Sequence, residues 1–433
     1  MASFLVCSSP IHGHVEPMLA IAAGLRGRGH RVVVLSGSRF ARRTLDAGLE
    51  LRCLQGVADF DDRDPASYLP DRDQHRGLQQ AQYDIQTIFV RTLPDQFRSV
   101  ERALASEHFD GILADSAFAG VVPLLLDRDV PRPPVAMVGV LGLSQSGPDV
   151  APYGMALQPA RTAVGRARNR ILTAVAHRVL FRQTQALAQA MLAKVGSPPL
   201  DRFAMDITGL PDRFFQLCTR EFEYPRRNLS AGVRFVGPVI SDGSDLDTPE
   251  WWGDLEDGRP VVHVTQGTMD NHDTDRLIRP TLEAMRDEEV LVVVSMGGRS
   301  PAELGPVPAN ARVGRYLPYR RLLPLTSVMV TNAGYGGVQH ALSYGVPLVA
   351  AGDTEDKPEV GARIRYAGVG IDLRTGTPSA GQVGAAVRDV LSDEQFRRAA
   401  SSVAASIARH DPLTDIEAEM VALSGGRRGG GPS

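Results

Sequence analysis

Two histidines bracket a glycine in Ile11-His-Gly-His-Val-Glu-Pro17, just after the short apolar run Phe4-Leu-Val-Cys7. An imidazole is suited to taking a hydroxyl proton near neutral pH, and a carboxylate on its other ring nitrogen fixes the tautomer and steadies the imidazolium. By residue type, His12 and His14 both qualify, and both are equally suited to a purely structural hydrogen bond. Asp115 is the candidate carboxylate because it closes a second apolar run, Gly111-Ile-Leu-Ala114; its other reading is the cap of a following helix. In the second half, Asn332-Ala-Gly-Tyr-Gly-Gly-Val-Gln-His340 puts Gly334, Gly336 and Gly337 in a turn between an apolar run and a helical pattern. Glycines let the backbone approach a ligand closely, and a helix start offers free N–H groups, so the turn suits a phosphate. Thr265-Gln-Gly-Thr268 is a second turn of this kind. Two such turns side by side would flank a diphosphate.

These residues need a scaffold that brings strand ends together. Phe4–Cys7, Arg31–Leu35, Gly111–Ala114 and Pro134–Val138 read as strands. Between the first two, Met18, Leu19, Ile21, Ala22 and Leu25 fall near helical spacing, and Gly27 and Gly29 end that helix. The histidine motif itself reads as a loop between strand and helix. The pattern restarts after residue 240 with strands Val261–Thr265, Val290–Val294, Val328–Thr331 and Pro347–Ala350, and a helix over Leu277–Met285. Strands alternating with helices predict parallel sheets with ligands at the carboxyl ends of the strands. Ser241-Asp-Gly-Ser-Asp245 reads as a linker. Residues 58–80, rich in Asp, Arg and Pro, are expected to form a long mobile loop, and 425–433 a disordered tail. Over 161–182 a helix gathers Val164, Ile171, Leu172, Val175 and Val179 on one face. Arg166, Arg168, Arg170 and Arg178 are expected on a solvated face over an acceptor cleft, with a membrane-surface helix as the alternative.

At 433 residues the chain is long enough for two domains. Its 47 basic and 50 acidic residues give a formal charge of -3, so no basic surplus points to nucleic acid. No secretory leader and no run of about 20 apolar residues is evident, and the expectation is a cytoplasmic protein without stable membrane insertion. Cys7, Cys53 and Cys218 are too scattered for a disulfide framework or a zinc site and read as buried thiols. The chain has only two lysines, Lys194 and Lys357, against 45 arginines, a bias of the kind a high-GC genome such as an actinomycete's produces.

Taken in order and spacing, Gly13-His14-Val-Glu-Pro17, Asp110–Asp115, Thr265–Thr268 and Asn332–Gly345 resemble family 1 UDP-sugar glycosyltransferases. The likeness is to the bacterial branch that modifies macrolides and other natural products, and it covers nearly the whole chain. It implies an α/β GT-B fold of two facing Rossmann-like domains with parallel sheets and a cleft between them. Residues 1–238 would hold the acceptor and 239–410 the nucleotide sugar, with a helix at 411–424 packed back on the N-terminal domain. It further implies an inverting, metal-independent transfer with no cofactor beyond the nucleotide sugar. UDP-glucose is the favoured donor and a TDP-sugar the second. The acceptor would be a hydroxyl on a hydrophobic small molecule such as a polyketide, macrolide or ansamycin, and the enzyme a monomer or homodimer.

By position, His14 matches the family's general base and Asp115 its orienting carboxylate, while His12 falls outside the motif. Pro318 matches a segment that cups the nucleotide base, with Tyr316 in place of Trp and Tyr319 in place of Gln; a tyrosine ring still offers a stacking face. Thr268, Gly334, Gly336 and Gly337 match diphosphate contacts, and Asp356 the acidic residue near the transferred sugar. Gly13, Gly267 and Leu317 flank these positions and join the donor set. Four positions depart from the pattern. Asn332 replaces a histidine on the pyrophosphate, Gly337 a hydroxyl residue, His340 a ribose-binding glutamate and Lys357 a glutamine that reads sugar hydroxyls. Lys357 offers a charge that could offset the missing histidine; its other reading is a surface lysine paired with Glu355 or Glu359. A nucleotide-sugar epimerase and a catalytically weak auxiliary homologue are the rival functions. A dehydrogenase fits poorly, since no Gly-x-Gly-x-x-Gly follows the first strand.

Overall fold

The computed structural model describes residues 1–127, 129–240, 246–268 and 271–428. Two wholly parallel sheets organise the chain. The first comprises β1 (Ser3–Cys7), β2 (Arg31–Ser36), β3 (Glu50–Cys53), β4 (Gly111–Asp115), β5 (Val135–Gly139), β6 (Arg213–Gln216) and β7 (Val233–Phe235), in the order 3-2-1-4-5-6-7. The second comprises β8 (Val261–Thr265), β9 (Leu291–Ser295), β10 (Ala311–Gly314), β11 (Val328–Thr331), β12 (Leu348–Ala350) and β13 (Gly370–Asp372), in the order 10-9-8-11-12-13. Central strands such as Val261–Thr265 and Leu291–Ser295 are buried along their whole length, as a parallel sheet covered on both faces requires. The architecture is the two-domain parallel α/β arrangement implied by the resemblance. Strand order reverses beside β1 and β4 in the first sheet and beside β8 and β11 in the second. Crevices open at such reversals, outside the carboxyl ends of the strands.

Several elements differ from the sequence reading. The histidine motif is helical: the first helix runs His12–Gly27, with Pro17 inside it. Residues 58–80 are not a structureless loop. They hold short helical turns at Pro65–Tyr68 and Arg72–Gln74, a stacked Phe60–Tyr68 pair at 4.4 Å, and a buried Asp62. The helix at 163–175 continues into a π-helical turn at Ala176–Leu180. Its apolar stripe faces solvent rather than a core: Val164, Ile171, Val175 and Val179 are exposed, and Asn169 and Ala176 occupy the packed side. Cys7 and Cys218 are buried but Cys53 is exposed. The final helix is longer than its pattern suggested, Pro412–Arg428, and includes residues placed in the tail; 429–433 and the linker candidate 241–245 lie outside the described residues. That helix rests on the first domain, burying Ile416 and Met420 in the core that contains Phe4, Val6 and Met18. Glu417 binds Arg28 at 2.8 Å and His30 at 2.7 Å.

The two domains meet through a buried ionic cluster. Arg363, 1 % exposed, gives two bonds to Glu223 at 2.9 Å, one to Glu359 at 2.8 Å and one to the Leu143 carbonyl at 3.2 Å. Arg226 reaches Glu223 from the other side at 3.1 Å, and the Tyr224 ring lies 4.5 Å beneath the Arg363 guanidinium. Burial alone would push the Glu223 carboxyl up, but the two guanidiniums overcome it and hold it below the usual range. Removing one member of such a cluster leaves an uncompensated buried charge, which costs about 3–5 kcal/mol. Glu223→Leu is therefore expected to lower the free energy of urea unfolding by about 3 kcal/mol. Arg42→Ala, which removes an exposed pair with Asp46, should shift it by less than about 0.5 kcal/mol.

Candidate active site

The site lies where the two strand-order reversals face each other. His14 sits in the first turn after β1 and is 5 % exposed; Asp115 ends β4 and is fully buried. Because β1 and β4 are adjacent, their ends bring the His14 Nδ1 within 2.9 Å of Asp115 Oδ1. A carboxylate only accepts, so Nδ1 carries the proton and Nε2 is left as the basic nitrogen. Asp115 is itself held by the backbone N–H groups of Ser9 at 2.6 Å and Ala117 at 2.7 Å. Burial pulls the imidazole towards its neutral form. The charge and hydrogen bond of Asp115 oppose this, with help from Asp356 and Glu355, and the net result is a pKa raised above 6.5.

His12 does not share this environment. Its ring lies 3.6 Å from Glu16 beside Arg43 and Arg39, and burial together with those two cations lowers its pKa to about 4. Its backbone N–H donates to Asp62 Oδ2 at 2.7 Å, and Asp62 is held by Arg39 at 2.9 Å. Asp62 thus secures the start of the helix that carries His14 from 50 residues away. Sequence reasoning missed it, because nothing local distinguishes it among the acidic residues of its segment. Gly13 has open space where a side chain would stand, and the Phe89 ring lies 6.2 Å from the His14 ring.

Across the gap, Asp356 precedes the helix Lys357–Ala367. Its Oδ2 is buried without a hydrogen-bond partner, and burial pushes its pKa up to about 6, against the opposing pull of Lys357. Lys357 is buried rather than at the surface, and its ammonium bonds Thr354 at 2.9 Å and Glu355 at 2.6 Å; Glu359 serves Arg363 instead.

The two glycine turns converge at the ends of β8 and β11. Asn332 is buried and donates to the Gln266 carbonyl at 2.5 Å, tying one turn to the other. Gly334 is the extended residue before the helix Tyr335–Ser343, whose first turn has no side-chain cap and no acidic residue. Gly336 and Gly337 have no atom within 4 Å of where a Cβ would stand, and both lie in the first turn of that helix, whose N–H groups have no intrahelical partner. Gly267 has φ 71°, and Thr268 beside it is exposed. A helix end with free N–H groups has the chemistry to attract an anion with neutral donors.

Tyr316, 51 % exposed, projects after β10, and Leu317 beside it is buried. Tyr319 is not grouped with Tyr316. Its hydroxyl donates to His263 Nε2 at 3.0 Å, since His263 Nδ1 is occupied by the Val293 carbonyl at 2.9 Å. The His340 ring lies 5.6 Å from the Tyr319 ring and 5.9 Å from that of Tyr344. Sequence reasoning also missed Gly297 and Gly298, at φ 58° and 101°. A Cβ at Gly297 would overlap the Gly267 carbonyl, and one at Gly298 the Tyr316 hydroxyl. Arg276, paired with Asp353, lines a small cavity with Gln266, Asn332 and Gly352. Among the described residues no three His, Cys, Asp or Glu side chains group as a metal site would require.

Comparison with known proteins decides the family. The profile of the erythromycin biosynthesis protein CIII-like C-terminal domain matches residues 279–423. The chain is 36 % identical to 4'-demethylrebeccamycin synthase of Lentzea aerocolonigenes, over 96 % of this chain and 97 % of that one. The chain belongs to the family 1 glycosyltransferases. It is also 32 % identical to UDP-glucosyltransferase A1 of Starmerella bombicola, over 95 % of this chain and 90 % of that one. The crystal structure of the calicheamicin glycosyltransferase CalG4 shares its GT-B fold, with a TM-score of 0.73 at 20 % identity over 98 % of both chains.

Two outcomes follow for this glycosyltransferase. Its activity should rise with pH through the titration of His14, with the midpoint of kcat/KM above 6.5. In Asp115→Asn the supporting charge is gone and the midpoint should move down, with a large fall in rate; an unmoved midpoint would assign the titration to another group. Gly298→Ala puts a methyl against the Tyr316 hydroxyl at a backbone angle that only glycine tolerates. It should raise the KM for the nucleotide donor at least about tenfold, a cost of about 1.4 kcal/mol.

Proposed function

We propose that the enzyme transfers a hexose from a nucleoside diphosphate, UDP-glucose being favoured, to a hydroxyl of a hydrophobic natural product, with inversion and without a metal. The observation that carries this reading is the His14–Asp115 pair, at 2.9 Å, opening toward Asp356 and an uncapped helix end. The names of the relatives support it: one is a UDP-glucosyltransferase and another a 4'-demethylrebeccamycin synthase.

In this mechanism the acceptor hydroxyl gives its proton to His14 Nε2, and Asp115 stabilises the imidazolium through Nδ1–H. The hydroxyl oxygen forms the new bond to the anomeric carbon on the face opposite the diphosphate. The bond to the diphosphate oxygen breaks as it forms, and the electron pair leaves with the nucleotide. The leaving charge is received by the N–H groups of Gly336 and Gly337 and the positive end of their helix. The unpartnered Oδ2 of Asp356 suits a sugar hydroxyl, and the exposed Tyr316 ring suits stacking on the base. Lys357 would supply the charge that Asn332 lacks, in competition with Glu355, which holds its ammonium in the free enzyme.

A general base of this kind contributes about 10²- to 10⁴-fold. His14→Ala is expected to lose activity on that scale with UDP affinity, read by calorimetry, nearly unchanged; turnover at the parent rate would overturn the assignment. In the same titration Lys357→Gln should bind UDP more weakly, and unchanged affinity would remove the lysine from the diphosphate site. Thermal shift with a panel of UDP- and TDP-sugars separates the donors, because a ligand bound to the folded state raises its stability.

A further inference from the structure

From residue 150 to residue 200 the chain contains no Asp or Glu, yet it carries Arg161, Arg166, Arg168, Arg170, Arg178, Arg182 and Lys194. The whole chain has 50 acidic residues in 433, so this stretch departs sharply from its surroundings. Within it lies the helical rod formed by Ala163–Val175 and Ala176–Leu180, which carries Arg166, Arg168, Arg170 and Arg178. Its outward stripe is apolar: Val164 is 80 % exposed, Ile171 65 %, Val175 41 % and Val179 67 %. Their spacing of seven, four and four places them along one side of the rod.

This orientation is built in. On the opposite side Asn169 is fully buried and donates to the Pro148 carbonyl at 3.1 Å, and Ala176 is packed inward. Among the described residues no carboxylate pairs with the arginines of the rod. Across the rest of the protein arginines are repeatedly paired with carboxylates, as Arg28, Arg31, Arg132 and Arg363 are. Among the described residues Arg166, Arg170, Arg178 and Arg182 form no such pair, and Arg168 bonds only the Asn169 amide oxygen. Asp149 accepts from the Arg227 backbone at 2.9 Å, and Asp206 accepts from that of Ser146 at 3.3 Å and faces His177 rather than an arginine of the rod. A cavity of about 360 Å³, lined by Ser146, Pro148, Arg170, His177 and Arg178, opens beside the stripe.

We propose that this rod docks the enzyme on an anionic lipid surface. Its valines and isoleucine enter the headgroup boundary, the arginines face lipid phosphates, and the cavity between Arg170 and Arg178 receives one headgroup. An apolar stripe set among unneutralised cations is the pattern of an interfacial helix. A second copy of the same rod is a poor partner, because self-pairing would bring arginine against arginine. Docking here is separate from the transfer chemistry and holds whatever the donor or acceptor proves to be.

The test is co-sedimentation of the full-length protein with phosphatidylcholine vesicles, with and without phosphatidylglycerol. Binding is expected only to the anionic vesicles and should weaken as salt rises. Arg168→Gln with Arg178→Gln should lower the partition coefficient about 30-fold, the loss of two surface charges. Ile171→Asp with Val179→Asp should abolish binding, with thermal unfolding and transferase activity in free solution unchanged because both side chains are exposed. No binding, or equal binding to neutral vesicles, overturns the proposal. So does release by inorganic phosphate where chloride of equal ionic strength has no effect, which would mark a free-anion site. Sedimentation velocity supplies the last arm: a dimer that becomes monomeric in the Ile171→Asp, Val179→Asp variant would assign the stripe to a subunit contact instead.

Discussion

The geometry of this enzyme depends on one buried guanidinium. Arg363 joins the domains by binding Glu223 from the first and Glu359 from its own helix, with Arg226 completing the cluster. Glu359 also accepts the backbone N–H groups of Gly154 and Ala156, both at 2.8 Å, so the first domain grips the same helix at two further points. That helix begins one residue after Asp356. Fixing Arg363 therefore fixes how Asp356 faces His14. Desolvating this many charges is costly, and the return is directional: a planar fork with several matched partners tolerates little rotation of one domain against the other.

Within that frame, the two halves of the site solve different electrostatic problems. As the proposed base, His14 must be buried enough to be directed and still be able to hold a proton. Burial lowers its basicity, and the adjacent carboxylate more than restores it. Asp115 can do this because it is immobilised by two backbone N–H groups as well as by the ring. The facing turn, proposed to hold the diphosphate, has no histidine in it and offers an uncapped helix end, two unobstructed glycines and a neutral asparagine used as a strut between turns. Lys357 is already committed to Glu355 in the free protein.

The chain itself determined a good deal of this. Val261–Thr265 and Val328–Thr331 could be read to the residue, because buried parallel strands are unbroken apolar runs with turn residues at their ends. The motif order disclosed the family, and the glycine turns stood out through chemistry local to each turn. Short or partly exposed strands such as Glu50–Cys53 and Val233–Phe235 escaped, having too few apolar residues to show a period. Which histidine meets Asp115 was also undecided locally, since His12 and His14 differ in surroundings rather than in type.

Tertiary structure decided whatever rests on contacts between distant residues. Asp62 capping the His12 backbone, Gly298 making room for Tyr316, and Arg363 meeting Glu223 each join positions with no local signature. The stripe of Val164, Ile171, Val175 and Val179 is the clearest case. Its spacing fixed a helix with one apolar side, but periodicity cannot say whether that side meets a core or the solvent. Sequence writes the local conformational preferences of a segment; only packing, through what the rest of the chain leaves uncovered, determines which way the segment faces.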